Sequence, residues 1–157
     1  MNKFQFLFLA FIILSMSIMV SCSGDKSNKT PKAITPKAIT KKAIDPMKDT
    51  GIGPVKELVL PAEIDETMVA AGKKIYKEKC TACHKAKKKF IGPSPKGIFE
   101  RRNPAWVMNM ILNPDEMVAK NELAKQLLIE YNGSPMANQN LTEKEARNIV
   151  EYFRTLK

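Results

Sequence analysis

Three side chains capable of redox or metal chemistry fall within five residues, Cys80-Thr81-Ala82-Cys83-His84. Thiols three residues apart come to the same side of a helical turn. There each can add to one of the two vinyl groups on one edge of a haem, and the imidazole next in sequence turns onto the iron as proximal ligand. Two other chemistries fit the same residues less well. A thioredoxin-like dithiol calls for a βαβ setting with β-branched strands, and none is visible between residues 61 and 157. A structural zinc site takes four ligands, where this motif offers two Cys and one adjacent His. The whole chain has 157 residues, three Cys and one His. That is one domain's worth of chain, and it excludes a multi-domain enzyme, several haems, a closed disulfide framework and two-histidine ligation from within the chain.

With His84 the only histidine, the iron's other side is left to Met, to Lys or to nothing. Met108 and Met110 lie in the apolar stretch Val107 to Leu112, and Met117 recurs with Leu123, Leu127 and Leu128 on a predicted helix. Methionines in such settings commonly fill core. Met136 lies instead in Gly133-Ser134-Pro135-Met136-Ala137-Asn138, a loop without apolar periodicity just ahead of the last helix. A methionine there is free to point at a ligand site, and the sixth position is assigned to it, with loop packing as the alternative.

These residues must be positioned by helices. No stretch from residue 61 onward alternates apolar and polar for a strand's length, so the fold class is all-α. The first helix runs from an Asp65 cap to Lys79, with Met68, Val69, Gly72, Ile75 and Tyr76 on one face. Asn103 caps a second, with Pro104 at its first position, and Asn113-Pro114 opens a third that stops at Asn132-Gly133. Thr142-Glu143-Lys144-Glu145 is a capping box for the last, whose stripe is Ala146, Ile149, Val150, Phe153 and Leu156. Gly72 inside the first helix costs about 1 kcal/mol against Ala, which calls for a compensating reason.

Taken together, residues 66 to 157 resemble a class I monohaem cytochrome c. The resemblance rests on Ala71-Gly72-Lys73-Lys74-Ile75-Tyr76 ahead of the Cys pair, Gly92-Pro93 after the His, and the run Lys96-Gly97-Ile98-Phe99-Glu100-Arg101. Pro135-Met136 six residues before Thr142 and Tyr152 on the last helix complete it. Pro95, where Leu is usual, and Ala137, where many members have Pro, depart from the pattern. The resemblance implies the cytochrome c fold, about four helices wrapped around one haem c bound through Cys80 and Cys83. It also implies that the Pro93 carbonyl accepts a hydrogen bond from the His84 imidazole, fixing the ring and raising its basicity. It further implies that Arg101 bonds a haem propionate and that Trp106 lines the haem pocket and offers its indole N–H to the inner propionate. The family crosses its first and last helices near Gly72 and Tyr152.

The N-terminal part reads differently. One charge, Lys3, precedes an apolar run from Phe4 to Val20, and then Ser21-Cys22. Residues 1–21 read as a signal peptide, and Val20-Ser21-Cys22 resembles the lipobox of bacterial lipoproteins, in which the Cys is acylated and becomes the mature N-terminus. An uncleaved membrane anchor is the rival reading. Both place the rest of the chain outside the cytoplasm, on a membrane facing the periplasm or cell exterior. Residues 22–60 read as a lipidated low-complexity linker, with a pentapeptide recurring from Thr30, Thr35 and Thr40. Residues 61–157 are the cytochrome c domain.

The formal charge is +10. Residues 73 to 102 hold 11 bases against Glu78 and Glu100, flanking the Cys pair. A basic rim there would steer an acidic redox partner such as a terminal oxidase or reductase, the resemblance pointing to nitrous-oxide reductase. A solvated lysine-rich loop at residues 85 to 89 is the plainer reading. Export and the lack of interleaved aromatics disfavour nucleic acid. The expected function is a membrane-tethered electron carrier of a respiratory chain, not an enzyme. The alternative is a haem enzyme or gas-sensor domain with an open sixth site.

Overall fold

The computed structural model describes residues 44–157, and among them every regular element is a helix. The signal segment, Cys22 and the pentapeptide repeats lie outside the described residues. Helix α1 spans Glu66–Lys79 and is followed by a long loop and a short 3-10 turn, Ile98–Glu100. Then come α2 Pro104–Leu112, α3 Pro114–Lys120, α4 Glu122–Glu130 and α5 Glu143–Arg154. The expected caps are present. Asp65 accepts from the Met68 N–H at 3.0 Å, Asn103 from Ala105 at 2.8 Å, and Thr142 and Glu145 close the capping box. None of these helices is long and apolar enough to cross a membrane.

Helices α1 and α5 cross where Gly72 meets the α5 backbone. A Cβ on Gly72 would stand 2.0 Å from the Asn148 carbonyl oxygen, so only glycine admits this approach. One turn on, the Tyr76 and Tyr152 rings lie 5.4 Å apart, and Phe153 meets Tyr76 edge-on at 5.6 Å.

The expected third helix is two. Asn121 takes extended backbone angles between α3 and α4, and its side-chain oxygen caps Ala124. The break follows from that side chain's other partners, Trp106 on α2 and Asp49, which hold it at 7% exposure. Helix α4 ends in a Schellman turn: Asn132 is left-handed at φ 57°, and the Gly133 N–H donates to the Leu128 carbonyl at 2.8 Å.

The expectation of a linker up to residue 60 is corrected. Residues 45–60 form a strap on the helices, with Ile52, Val55, Leu58 and Leu60 packed against the core. Helix α2 explains the need for it. Ala105, Trp106, Val107, Met108, Asn109 and Ile111 are all buried, so this helix has no solvent face and must be covered on several sides. Asn109, 1% exposed, sews the strap down by accepting from Val55 and donating to the Thr50 and Val55 carbonyls at 2.7–3.0 Å.

Helix α5 also buries a charge beside its expected apolar stripe. Glu151 is 1% exposed and accepts from Arg147, Arg154 and the Asp65 N–H. Arg154 in turn holds the carbonyls of Pro61, Ala62 and Glu63. Burial alone would raise this carboxyl, but the Arg147 and Asp65 hydrogen bonds and the two guanidinium charges outweigh it and hold it below its ordinary 4.5. A depressed folded value contributes stability above about pH 4.5 that is lost as pH falls below it. Glu151→Gln is expected to cost about 3 kcal/mol at neutral pH, because it leaves two partly buried guanidinium groups short of an anion. The deficit should shrink on acidification below pH 4.5, which urea denaturation across that range measures.

Candidate haem site

Helix α1 delivers the motif. Its last turn closes on Cys80, whose N–H donates to the Tyr76 carbonyl, and the Cys80 carbonyl then accepts from Cys83 at 3.1 Å and His84 at 2.8 Å. This continued turn puts Cys80, Cys83 and His84 on one wall of a cleft of about 240 Å³. Elsewhere the cleft is walled by apolar side chains, among them Ile98, Val107, Ile111, Leu127, Leu141 and Phe153.

One hydrogen bond holds the imidazole, while Gly92 sets its space and Tyr76 anchors its backbone. Its Nδ1 stands 2.8 Å from the Pro93 carbonyl oxygen, and because a carbonyl only accepts, Nδ1 carries the proton. That leaves Nε2 with its lone pair for a metal. Gly92 gives the ring its space, since a Cβ there would stand 2.4 Å from Cε1 and 2.7 Å from Nδ1. The Tyr76 hydroxyl donates to the His84 carbonyl at 2.9 Å. Burial, with Cys80 and Tyr152 alongside, pushes that hydroxyl up to about 12, so it remains a neutral donor. Tyr76 and Gly92 were legible only as a helix-face aromatic and a turn glycine; neither signals its contact with His84.

Burial pushes the Cys80 thiol up to about 11, with Lys79 opposing and Cys83 adding to the rise. Thioether formation needs reach to one edge of a flat cofactor, which the shared wall supplies.

The other expected residues divide. Met136, half-buried in the loop after α4, lines the cleft, as does Met110 on α2. Met117 is fully buried and accepts the Ile52 N–H through Sδ, and Met108 belongs to the core cluster. Arg101 lines the cleft with its guanidinium braced on the Ser94 and Lys96 carbonyls at 2.6 and 2.7 Å. Trp106 lines it too, but its indole N–H donates to Asn121 Oδ1 at 3.1 Å. The expected bond from that N–H to a propionate is therefore corrected: a buried donor takes the acceptor the fold provides.

The lysine loop also divides. Lys85 lies over the Phe90 ring at 4.8 Å and donates to the Thr81 carbonyl, and Lys89 lies over Tyr131 at 4.3 Å and 3.8 Å from Glu130. Lys87 and Lys88 extend into solvent.

Comparison with known proteins agrees with this construction. The family described as Cytochrome c matches residues 69–157. The chain belongs to the cytochrome c family. It accordingly carries one haem c, bound covalently through Cys80 and Cys83, in an all-α cytochrome c fold. Among solved structures it is similar to a cytochrome c from Rhodothermus marinus, at 39% identity and TM-score 0.67, over 71% of this chain and 97% of that one. An engineered version of that protein, bound to a carbene intermediate, is similar at 38% identity and TM-score 0.64 over the same shares. A cytochrome c domain from Pseudomonas putida matches at 29% identity and TM-score 0.50, over 53% of this chain and 84% of that one. A search of curated proteins found no match.

Proposed function

We propose that this c-type cytochrome is a membrane-tethered, class I electron carrier of a respiratory chain, with its iron ligated by His84 and Met136. Haem supplies the redox chemistry, one electron taken up or released by iron. Membership of the family supports a haem-binding electron carrier. The observation that carries the ligation is the 2.8 Å bond from His84 Nδ1 to Pro93, which frees Nε2 toward a cleft that Met136 also lines. The chain's own residues then have distinct work. Pro93 holds the imidazole in one orientation, Gly92 leaves it room and Tyr76 anchors its backbone carbonyl, so little reorganisation accompanies electron transfer. The apolar walls exclude water and, with a thioether ligand, favour the reduced state. The test is the optical spectrum of the purified holoprotein. A methionine–iron charge-transfer band and no change with carbon monoxide are expected. Ready carbon monoxide binding would favour the second reading, a haem that takes exogenous ligands.

Arg101 retains free donors for a haem propionate beyond the two carbonyls that brace it. The tether is assigned to Cys22 as a lipid-bearing N-terminus after cleavage of residues 1–21, which puts the domain on the outer side of a bacterial membrane. Cys22→Ala is expected to release the protein into the soluble fraction with its spectrum unchanged. A variant that stays membrane-bound and unprocessed would make residues 4–20 the anchor.

The partner is assigned as a terminal oxidase or reductase with an acidic docking face, nitrous-oxide reductase being one such enzyme. Bases flanking the attachment motif support this. Of the loop lysines, Lys87 and Lys88 are the free ones, so reversing both to Glu should slow bimolecular electron transfer about tenfold at low salt and flatten its salt dependence. The reduction potential should stay put, since solvated charges act through a high dielectric. Stopped-flow rates with the partner against ionic strength measure both.

A further inference from the structure

The strap packs against the core behind the haem cleft, and none of its residues lines the cleft. Asp49, half-buried within it, uses both carboxylate oxygens: Oδ1 accepts the Gly51 N–H at 2.8 Å and Oδ2 accepts Asn121 Nδ2 at 2.7 Å. A carboxylate can only accept here, so it fixes the amide of Asn121 with nitrogen toward the strap and oxygen toward the helices. That oxygen accepts the Trp106 indole N–H at 3.1 Å and the Ala124 N–H at 3.0 Å. Turned over, the amide would set its NH2 against two donors. The second product of Asp49 is the turn at Gly51, φ 78°, which lays backbone against the indole: a Cβ there would come within 3.3 Å of Trp106 Cδ1 and 2.8 Å of Met117 Sδ. Trp106 is 3% exposed and lines the cleft, whereas Asp49 and Asn121 do not line it.

We infer that Asp49 is a positioning residue for the haem pocket: through Asn121 and Gly51 it holds the Trp106 indole with its N–H turned into the protein and its ring, over which the Arg102 guanidinium lies at 5.4 Å, on the wall of the cleft. The segment joining tether to domain is thereby part of the pocket's construction. A charged acceptor polarises the amide it binds and strengthens the next bond in the chain, so the effect of Asp49 reaches the indole across one intervening side chain. The inference rests on haem occupying this cleft and is independent of which residue is the sixth ligand.

Trp106 is the chain's single tryptophan, which makes its indole N–H one unambiguous resonance. In the full-length, reduced holoprotein, Asp49→Ala is expected to speed hydrogen exchange of that N–H at least tenfold and to shift its resonance, with the reduction potential moving as well. Asp45→Ala is the control, because the Asp45 side chain bonds only within the strap. It should leave exchange and potential at wild-type values. If Asp49→Ala does not fold, the isosteric Asp49→Asn, with one acceptor where two are needed, should still speed exchange at least threefold. Exchange within twofold of wild type in the folded Asp49 variant would overturn the inference, and so would equal acceleration in Asp45→Ala, which would mean general loosening of the strap. Absence of a methionine–iron band in the wild type would sink the ligation by Met136 and leave these readouts untouched.

Discussion

In a Met136→Ala variant the haem stays covalently attached, the reduction potential falls by on the order of 0.1 V, and the iron takes up carbon monoxide. Attachment depends on Cys80 and Cys83, which sit on the turn that closes α1, whereas Met136 sits beyond the Schellman turn that ends α4. The potential depends on the sixth ligand because a thioether stabilises ferrous iron, and axial ligands tune haem potentials over about 0.8 V. Met110 is the comparison that decides the assignment, since it alone of the helical methionines lines the cleft. Met110→Ala should lose a fraction of stability and keep the charge-transfer band. If the band survives in Met136→Ala and vanishes in Met110→Ala, the ligand is Met110.

Gly72→Ala is expected to destabilise the protein by about 3 kcal/mol or more, against the ordinary gain of about 1 kcal/mol for this exchange inside a helix. The sign reverses because the new methyl would stand 2.0 Å from a backbone oxygen of α5, and backbone cannot rotate out of the way as a side chain can. Separating the helices enough to admit it also parts Tyr76 from Tyr152 and Phe153. Since the Tyr76 hydroxyl holds the His84 carbonyl, the haem spectrum should broaden as stability falls. Thermal denaturation followed at the haem band measures both, and a raised melting temperature would show that the crossing is looser than the structure has it.

Much of this site was legible in the residues. The Cys80, Cys83 and His84 spacing carries its own geometry, Pro93 behaves as the resemblance implied, and the caps at Asp65, Asn103 and Thr142 stand where side-chain chemistry put them. What could not be read is long-range polar pairing. Asn121 looks like any helical asparagine until Trp106 and Asp49, 15 and 72 residues away, claim its two ends and break the helix. Glu151 sits beside an apolar stripe and is buried because two arginines and a capping turn converge on it. The strap was hidden by its neighbour, since the repeats ahead of it set the expectation for everything up to residue 60. A signal was nevertheless present: Ile52, Val55, Leu58 and Leu60 are apolar residues two or three apart in a supposed linker, and α2, apolar but for Asn109, needs a cover.

The proposed ligation by His84 and Met136 closes the iron on both sides and leaves it to carry single electrons. Spectroelectrochemical titration of the full-length holoprotein, run with and without carbon monoxide, tests it most directly. One reversible one-electron wave, a methionine–iron band in the oxidised form, and the same midpoint under carbon monoxide are expected. A midpoint that rises under carbon monoxide, with no methionine–iron band, would show an iron open to ligands and contradict it.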